Sequence, residues 1–455
     1  MDLDLFNKLA QTLFNLEASN PVPTPIPADD LYDQLDLSLS DDPASDLDYE
    51  NALLELVEAA PKTSSKLFFN QLFGGRKPES VLGDLLAVLL NNSMYTYKVA
   101  GAMVGVEKII INKIINIVGY PATADGTFAS GGSMTNLMAM IMARDKKIEQ
   151  VRHVGVRENM IVYTSAESHY SIEKNAAFIG VGRDQVRKID TDDQGRMLVN
   201  VLSDKIAEDI LQGNTPFFVN ATAGTTVLGA FDPIADLAVV CDTHNLWLHV
   251  DGAYCGGVIF SAKHAHLIDG VAEADSFSFN AHKMLNTSLT CSLIVTKERS
   301  DLLKSFSNDA DYLYQTDDDE FNLGKTSLQC GRRNDALKVW TLWKSIGTRG
   351  IKQMVDNQFL LADVARAYIS NHVDYTLYSF ENSISICFNY KNTDPIKLCR
   401  DLYENGTLMV GHGSFRGQNF IRLITINSTY SEADILQFFN VLEQFVADHE
   451  DQPAI

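Results

Sequence analysis

The sequence predicts an α/β fold, with a large domain on a central, mostly parallel sheet and a smaller α+β domain following it, and three patterns support that reading. Short apolar or β-branched strings recur at residues 160–163, 217–220, 246–250, 276–279 and 292–295. Helix-like stretches lie between several of them, and strands that run parallel need such crossovers. Beyond Trp340 the pattern changes to a long helical run over residues 350–371, followed by strand-like stretches at 383–390 and 420–426.

Taken in chain order, Leu3, Phe6, Leu9, Ala10, Leu13 and Phe14 fall at helical spacing and give one apolar face. Pro21, Pro23, Pro25 and Pro27 then favour an extended course, because proline lacks an amide donor, and an acidic stretch covers residues 41–50. Residues 1–65 therefore read as a helix and arm suited to exchange between two chains. The pattern is helical over residues 80–118, and Ser130-Gly131-Gly132-Ser133 precedes another helical run at 134–143. With 455 residues, 45% of them apolar, the chain has material for more than one core. The expected division is a large domain at 66–349 and a small one at 350–455, with no internal repeat.

A net charge of -22 argues against nucleic acid and anionic membrane surfaces as partners. Near Met1 no basic segment leads an apolar one, and no uncharged run is long enough to span a bilayer. Six cysteines stand singly at Cys241, Cys255, Cys291, Cys330, Cys387 and Cys399, without zinc-ligand spacing. These features lead to the expectation of a cytoplasmic protein with reduced thiols and no metal site.

The chemistry centres on Ser276-Phe277-Ser278-Phe279-Asn280-Ala281-His282-Lys283, a strand-like string ending in a lysine. A lysine amine so placed forms an imine with an aldehyde cofactor if its surroundings lower its pKa; taken alone, it also fits a surface charge. Upstream, Trp247-Leu248-His249-Val250-Asp251 puts an acid just after an apolar strand, where a protonated ring nitrogen would be a suitable partner and a helix N-cap is the plainer reading. Residues 130–133, followed at once by a helix, offer clustered amide donors to a phosphate. His169, after the string at 160–163, is placed to stack on a flat ring or to sit hydrogen-bonded in a core.

These strings occur in one order with Phe68-Phe69-Asn70-Gln71, Ser168-His169-Tyr170-Ser171-Ile172, Asn220-Ala221-Thr222-Ala223-Gly224-Thr225-Thr226, Gly229-Ala230-Phe231-Asp232-Pro233 and Gln329-Cys330-Gly331-Arg332-Arg333. As a set they resemble the group II pyridoxal 5'-phosphate (PLP)-dependent amino acid decarboxylases, and within them the glutamate, cysteine sulfinate and aspartate decarboxylase branch. The resemblance runs from about residue 68 to the C-terminus. It implies the PLP-dependent transferase-like fold (fold type I) and a homodimer whose active sites draw on both subunits. It makes Lys283 the lysine that holds PLP as a Schiff base, Asp251 the partner of the pyridine nitrogen and His169 the ring stacked above, with Ala253 below. Gly132, Ser133 and His282 match phosphate neighbours, and Thr226 and Asn280 match the pocket lining. Tyr312 matches the tyrosine that protonates the substrate's Cα, with Tyr314 nearby.

Arg422 matches an arginine that meets a substrate carboxylate, although relatives acting on aromatic amino acids carry a similar one. Ser93 stands where the glutamate enzymes usually have asparagine, and Phe73 after Gln71 leans the same way. The resemblance thus favours L-aspartate (to β-alanine) or L-cysteine sulfinate (to hypotaurine) over L-glutamate (to GABA). Another amino acid, a decarboxylation-coupled oxidase or aldehyde-forming reaction, an aldol-type cleavage and a non-catalytic PLP-binding protein are the alternatives. Departures from the family pattern are Ala281, Gly252, Tyr254, Lys98 and a shorter loop between Tyr312 and Gln329.

Overall fold

In the computed structural model, which describes residues 2–19, 22, 24–308 and 319–449, the five apolar strings become strands of a single sheet. Its strands are β1 (Asp125–Ala129), β2 (Met160–Ser165), β3 (Val186–Ile189), β4 (Thr215–Thr222), β5 (Trp247–Gly252), β6 (Ser276–Asn280) and β7 (Ser292–Thr296). They lie in the order β1-β7-β6-β5-β4-β2-β3. Strand β7 runs antiparallel to both its neighbours, and the remaining pairs are parallel. Every residue of β2, β5, β6 and β7 is buried, which explains the near-continuous apolar runs in β2 and β7, whereas β6 alternates serine with phenylalanine although both its faces are buried.

Sequence periodicity does not announce β1 and β3. Val186-Arg187-Lys188-Ile189 carries two charges in its centre, and β1 contains Gly126. That glycine is required by close packing, since a Cβ there would lie 2.5 Å from the Ile294 carbonyl oxygen and 3.1 Å from Ile111 Cγ2. Met138, Met142, Ile172, Phe218, Trp247 and Leu302 belong to one buried cluster of this unit. The helical stretch expected at 80–118 is three helices, Pro78–Leu90, Tyr97–Ala100 and Ala102–Val118, separated at Asn91 (φ 46°) and Gly101 (φ 54°). The run expected from 350 begins earlier, in Ala336–Ser370, and is broken at Gly347 (φ 65°).

Two compact units emerge, one of Arg76–Phe359 with Phe380–Ser383 and one of Met1–Gly75, Leu360–Ser379 and Ile384–Ile455. The second contains β8 (Tyr375–Leu377), β9 (Ser385–Tyr390), β10 (Gly411–Phe415) and β11 (Gln418–Ile424), paired antiparallel in the order β10-β11-β9-β8. Its core is aromatic: Tyr368 stacks on Phe439 at 4.2 Å between centroids, and the Tyr368 and Tyr375 hydroxyls both donate to Glu443 Oε1 at 2.8 Å. The N-terminal stretch is more helical than its composition suggests. Helix Leu3–Ser19 packs on a helix at Asp46–Ala59, which begins within the acidic segment and lies inside the stretch read as an arm. Ser45 caps it by accepting from the Asp48 amide at 3.2 Å, and Asp46 and Asp48 in the first turn complement the helix dipole. Among the described residues no helix is long and apolar enough to cross a membrane.

Candidate active site

The pocket that gathers the expected residues lies in the larger unit, beyond the carboxyl ends of its parallel strands, where open α/β sheets place their ligands. It holds about 490 Å³ of empty space, part of it open to solvent, and is lined by Gly132, Ser133, Asn136, His169, Thr222, Gly224, Thr226, Asp251, Ala253, Tyr254, Asn280 and Lys283. Sheet register explains the convergence. Asp251 stands level with Thr222 on β4 and Ser278 on β6. Asn280 ends β6, and Lys283 follows through a turn in which its amide donates to the Asn280 carbonyl at 3.0 Å. From β1 the chain passes through Gly131 (φ 111°) into helix Gly132–Lys147, whose first turn presents amide groups that the helix itself leaves unsatisfied. The Asn220-to-Pro233 string folds back on itself: Gly224 and Thr225 amides donate to the Ala230 carbonyl, and the Asp232 carboxylate accepts from the Thr222 and Met197 amides, each at 2.7 Å.

Asp251 is 3% exposed, and its charge is met by two donors, the Asn136 side-chain amide at 2.7 Å and the Ala253 backbone amide at 2.9 Å. His169 accepts at Nδ1 from the Ser171 amide at 3.2 Å, which leaves the proton on Nε2. Burial pushes its imidazole below the usual histidine range; the Asp251 carboxylate opposes that and the Lys283 ammonium reinforces it. His169 therefore senses both charged groups of the pocket. Lys283 Nζ lies 6.0 Å from the centroid of the Tyr254 ring.

Of the other expected residues, His282 is 7% exposed and packs beside the pocket, its Nδ1 accepting from the Cys291 amide at 2.9 Å. Burial pushes its imidazole down to about 4. Ser93 Oγ accepts from the Arg332 amide at 3.4 Å in the larger unit. Arg422, Gln71 and Phe73 belong to the smaller unit, where Arg422 on β11 pairs with Gly411 on β10 and donates to the Asn70 carbonyl at 3.3 Å. Tyr312 and Tyr314 lie outside the described residues. Sequence reasoning did not single out Asn136, Thr222 or Gly224 as pocket residues. Asn136 was within reach, because it follows Gly132 by four positions and so shares its helix face.

A flat aldehyde cofactor with a phosphate arm and a basic ring nitrogen asks for amide donors, a buried carboxylate and an amine, and this pocket holds all three. Its corner is also shaped for such a group, since a Cβ at Gly132 would lie 3.0 Å from Ala253 Cβ and 3.2 Å from Asn280 Nδ2. The residues present therefore fit PLP.

Comparison with known proteins gives the same answer. Residues 29–391 match the family described as "Pyridoxal-dependent decarboxylase conserved domain". Human cysteine sulfinic acid decarboxylase is 35% identical over 447 residues, covering 92% of this chain and 90% of the relative. The mouse acidic amino acid decarboxylase GADL1 is 35% identical over 433 residues, covering 90% and 78%. The crystal structure of mouse CSAD in apo form superposes with a TM-score of 0.90 at 33% identity, covering 97% of this chain and 99% of that one. By its pocket, its sheet and these relatives, the chain belongs to the pyridoxal-dependent decarboxylase family and is a PLP-dependent amino acid decarboxylase.

Proposed function

We propose that the enzyme removes the α-carboxyl group of a small acidic L-amino acid, with L-cysteine sulfinate or L-aspartate preferred over L-glutamate, giving hypotaurine or β-alanine. The observation that carries this reading is that one pocket holds Lys283, the Asp251 carboxylate and a histidine whose protonation responds to both. When bound, PLP supplies a cationic ring that takes up the electron pair released at Cα as carbon dioxide leaves. Lys283 would hold the cofactor's aldehyde through its side-chain amine. Asp251, buried and doubly hydrogen-bonded, holds a proton on the ring nitrogen. The His169 ring and Ala253, which line the same pocket, would hold the cofactor ring between them. Gly132 and Ser133, at the positive end of helix Gly132–Lys147, take the phosphate together with His282, and Thr226 and Asn280 line the rest. Tyr312 returns a proton to Cα, with His169 as its relay; a positioned acid contributes about 10²–10⁴-fold.

Arg422, Ser93, Gln71 and Phe73 are assigned to the substrate by the family resemblance. Arg422 is a bidentate donor suited to carboxylate or sulfinate. Gly411 lets Asn70 pack closely beside Arg422, because a Cβ there would lie 2.7 Å from Asn70 Oδ1 and 3.7 Å from Arg422 Nη2. The activities named for the human and mouse relatives support the same acidic class. A homodimer is supported by Leu82, Leu86 and Leu89, exposed at 65%, 42% and 61% on helix Pro78–Leu90. A cytoplasmic setting suits six cysteines that form no disulfide with one another.

The test is amine detection after incubating purified protein and PLP separately with aspartate, cysteine sulfinate, glutamate, 2,4-diaminobutyrate and tyrosine. The first two are expected to give the highest kcat/KM, and preferential turnover of tyrosine or diaminobutyrate overturns the substrate class. Lys283→Ala should lose the visible absorption of bound cofactor on dialysis. Arg422→Leu should raise KM for the acidic substrate by about tenfold or more, the worth of a hydrogen bond to a charged group.

A further inference from the structure

A file of buried polar side chains, running away from the pocket, ends on Asp251. Trp247 Nε1 donates to Ser276 Oγ at 2.9 Å, and Ser276 Oγ lies 2.8 Å from His249 Nδ1. His249 Nε2 lies 3.1 Å from Asn136 Oδ1, and the Asn136 amide nitrogen donates to Asp251 Oδ2 at 2.7 Å and to Ser171 Oγ at 3.2 Å. His249 and Ser276 are 0% exposed and Asn136 is 1% exposed.

A single set of proton positions satisfies every member. Asp251 is the acceptor at the pocket end, so Asn136 turns its N–H groups toward it and its carbonyl toward His249. That carbonyl only accepts, so His249 donates through Nε2. Nδ1 is then an acceptor and takes the Ser276 hydroxyl proton, while Ser276 Oγ accepts from Trp247. His249 is thereby one neutral tautomer. Burial keeps it so, pushing its imidazole down to about 4 against the pull of Asp251. The file delivers an oriented N–H dipole to the carboxylate, not a second charge.

We propose that Asn136 and His249 are positioning residues that hold the Asp251 carboxylate oriented as the hydrogen-bond acceptor of the cofactor's ring nitrogen, so that the shared proton stays on that nitrogen. The proposal rests on the assignment of Asp251 to that nitrogen. Its physical basis is that a hydrogen bond to a buried carboxylate stabilises the anion specifically and is stronger where the dielectric is low. Of the two donors to Asp251, the Ala253 amide belongs to the backbone and is present whatever the side chain. Asn136 is the donor through which side chains adjust the site, and His249 prevents its amide from flipping.

The test uses holoenzyme reconstituted with PLP labelled with ¹⁵N in the ring, whose nitrogen signal reports protonation independently of turnover. Asn136→Leu should shift the proton balance from ring to carboxylate by about one pH unit and lower kcat about tenfold, with KM within about twofold. His249→Leu should move the signal in the same direction by less, and His249→Gln, which retains an N–H toward Asn136, should restore it. If leucine at 136 prevents folding, Asn136→Ala provides the same comparison. Asp251→Asn must also move the ring signal. An unmoved signal in that variant removes the Asp251 assignment and this proposal with it. A moved signal in Asp251→Asn with unmoved signals in the Asn136 and His249 variants leaves the assignment intact and overturns the proposal, the file then being purely structural.

Discussion

Replacing Glu107 by glutamine should cost the fold several kcal/mol while leaving side-chain volume almost unchanged. Glu107, on helix Ala102–Val118, is 1% exposed and takes both arms of the Arg332 guanidinium, Nη1 to Oε2 at 2.7 Å and Nη2 to Oε1 at 2.9 Å. At an effective dielectric of about 20, two unit charges at that separation attract by about 6 kcal/mol, which is the ceiling before desolvation is subtracted. Glutamine removes the negative charge and leaves the Arg332 cation buried, and breaking a buried pair in this way costs about 3–5 kcal/mol. Removing both charges together is a milder change, so Glu107→Met with Arg332→Met should recover most of the loss. The assay is urea denaturation of the parent, Glu107→Met, Arg332→Met and the double variant, read as a double-mutant cycle, with Glu107→Gln measured beside them. A Glu107→Gln loss below about 1 kcal/mol would falsify the claim that this ion pair is desolvated and mutually dependent. The pair also matters locally: the Arg332 backbone accepts from the Met94 amide at 2.9 Å and donates to Ser93, so it braces a residue of the proposed substrate end.

Two further outcomes follow from the same geometry. Gly132→Ala puts a methyl group 3.0 Å from Ala253 Cβ and 3.2 Å from Asn280 Nδ2, so PLP affinity measured by fluorescence titration should fall about tenfold, the factor that 1.4 kcal/mol of crowding produces; unchanged affinity contradicts the phosphate placement. His282 titrates near 6.5 when unfolded and near 4 when folded, so the unfolded chain binds its proton first as pH falls. Its contribution is complete above pH 6.5 and is lost on descent to pH 4, by about 3 kcal/mol. His282→Gln should flatten the dependence of the urea midpoint on pH over that window, and an unaltered slope shows that the ring is already accessible to protons in the folded state.

Lys283, Asp251 and His169 are ambiguous one by one, and it is the fixed order of the strings that carry them, taken as a set, that singles them out in the sequence. Parallel pairing was legible too, since helical stretches separate the strings. Local patterns do not report contacts between distant segments. Asn136 lies 115 residues from Asp251 and 113 from His249, and its amphipathic helix would look the same with another polar residue there. Helix Asp46–Ala59 was hidden for a different reason: its acidic composition resembles a solvated arm, and a cap at Ser45 with packing against Leu3–Ser19 outweighs that local bias.

What residue order alone settles here is the chemistry on offer: an amine, a carboxylate, an imidazole and a glycine turn before a helix, each at the end of its own element. Which of them meet was decided by sheet register, which aligns Thr222, Asp251 and Ser278, and by the helix beginning at Gly132, which brings Asn136 onto the carboxylate. The reason is one of range: side-chain periodicity records which face of an element is buried, whereas the partner on the other side of that burial is chosen only when the strands pair.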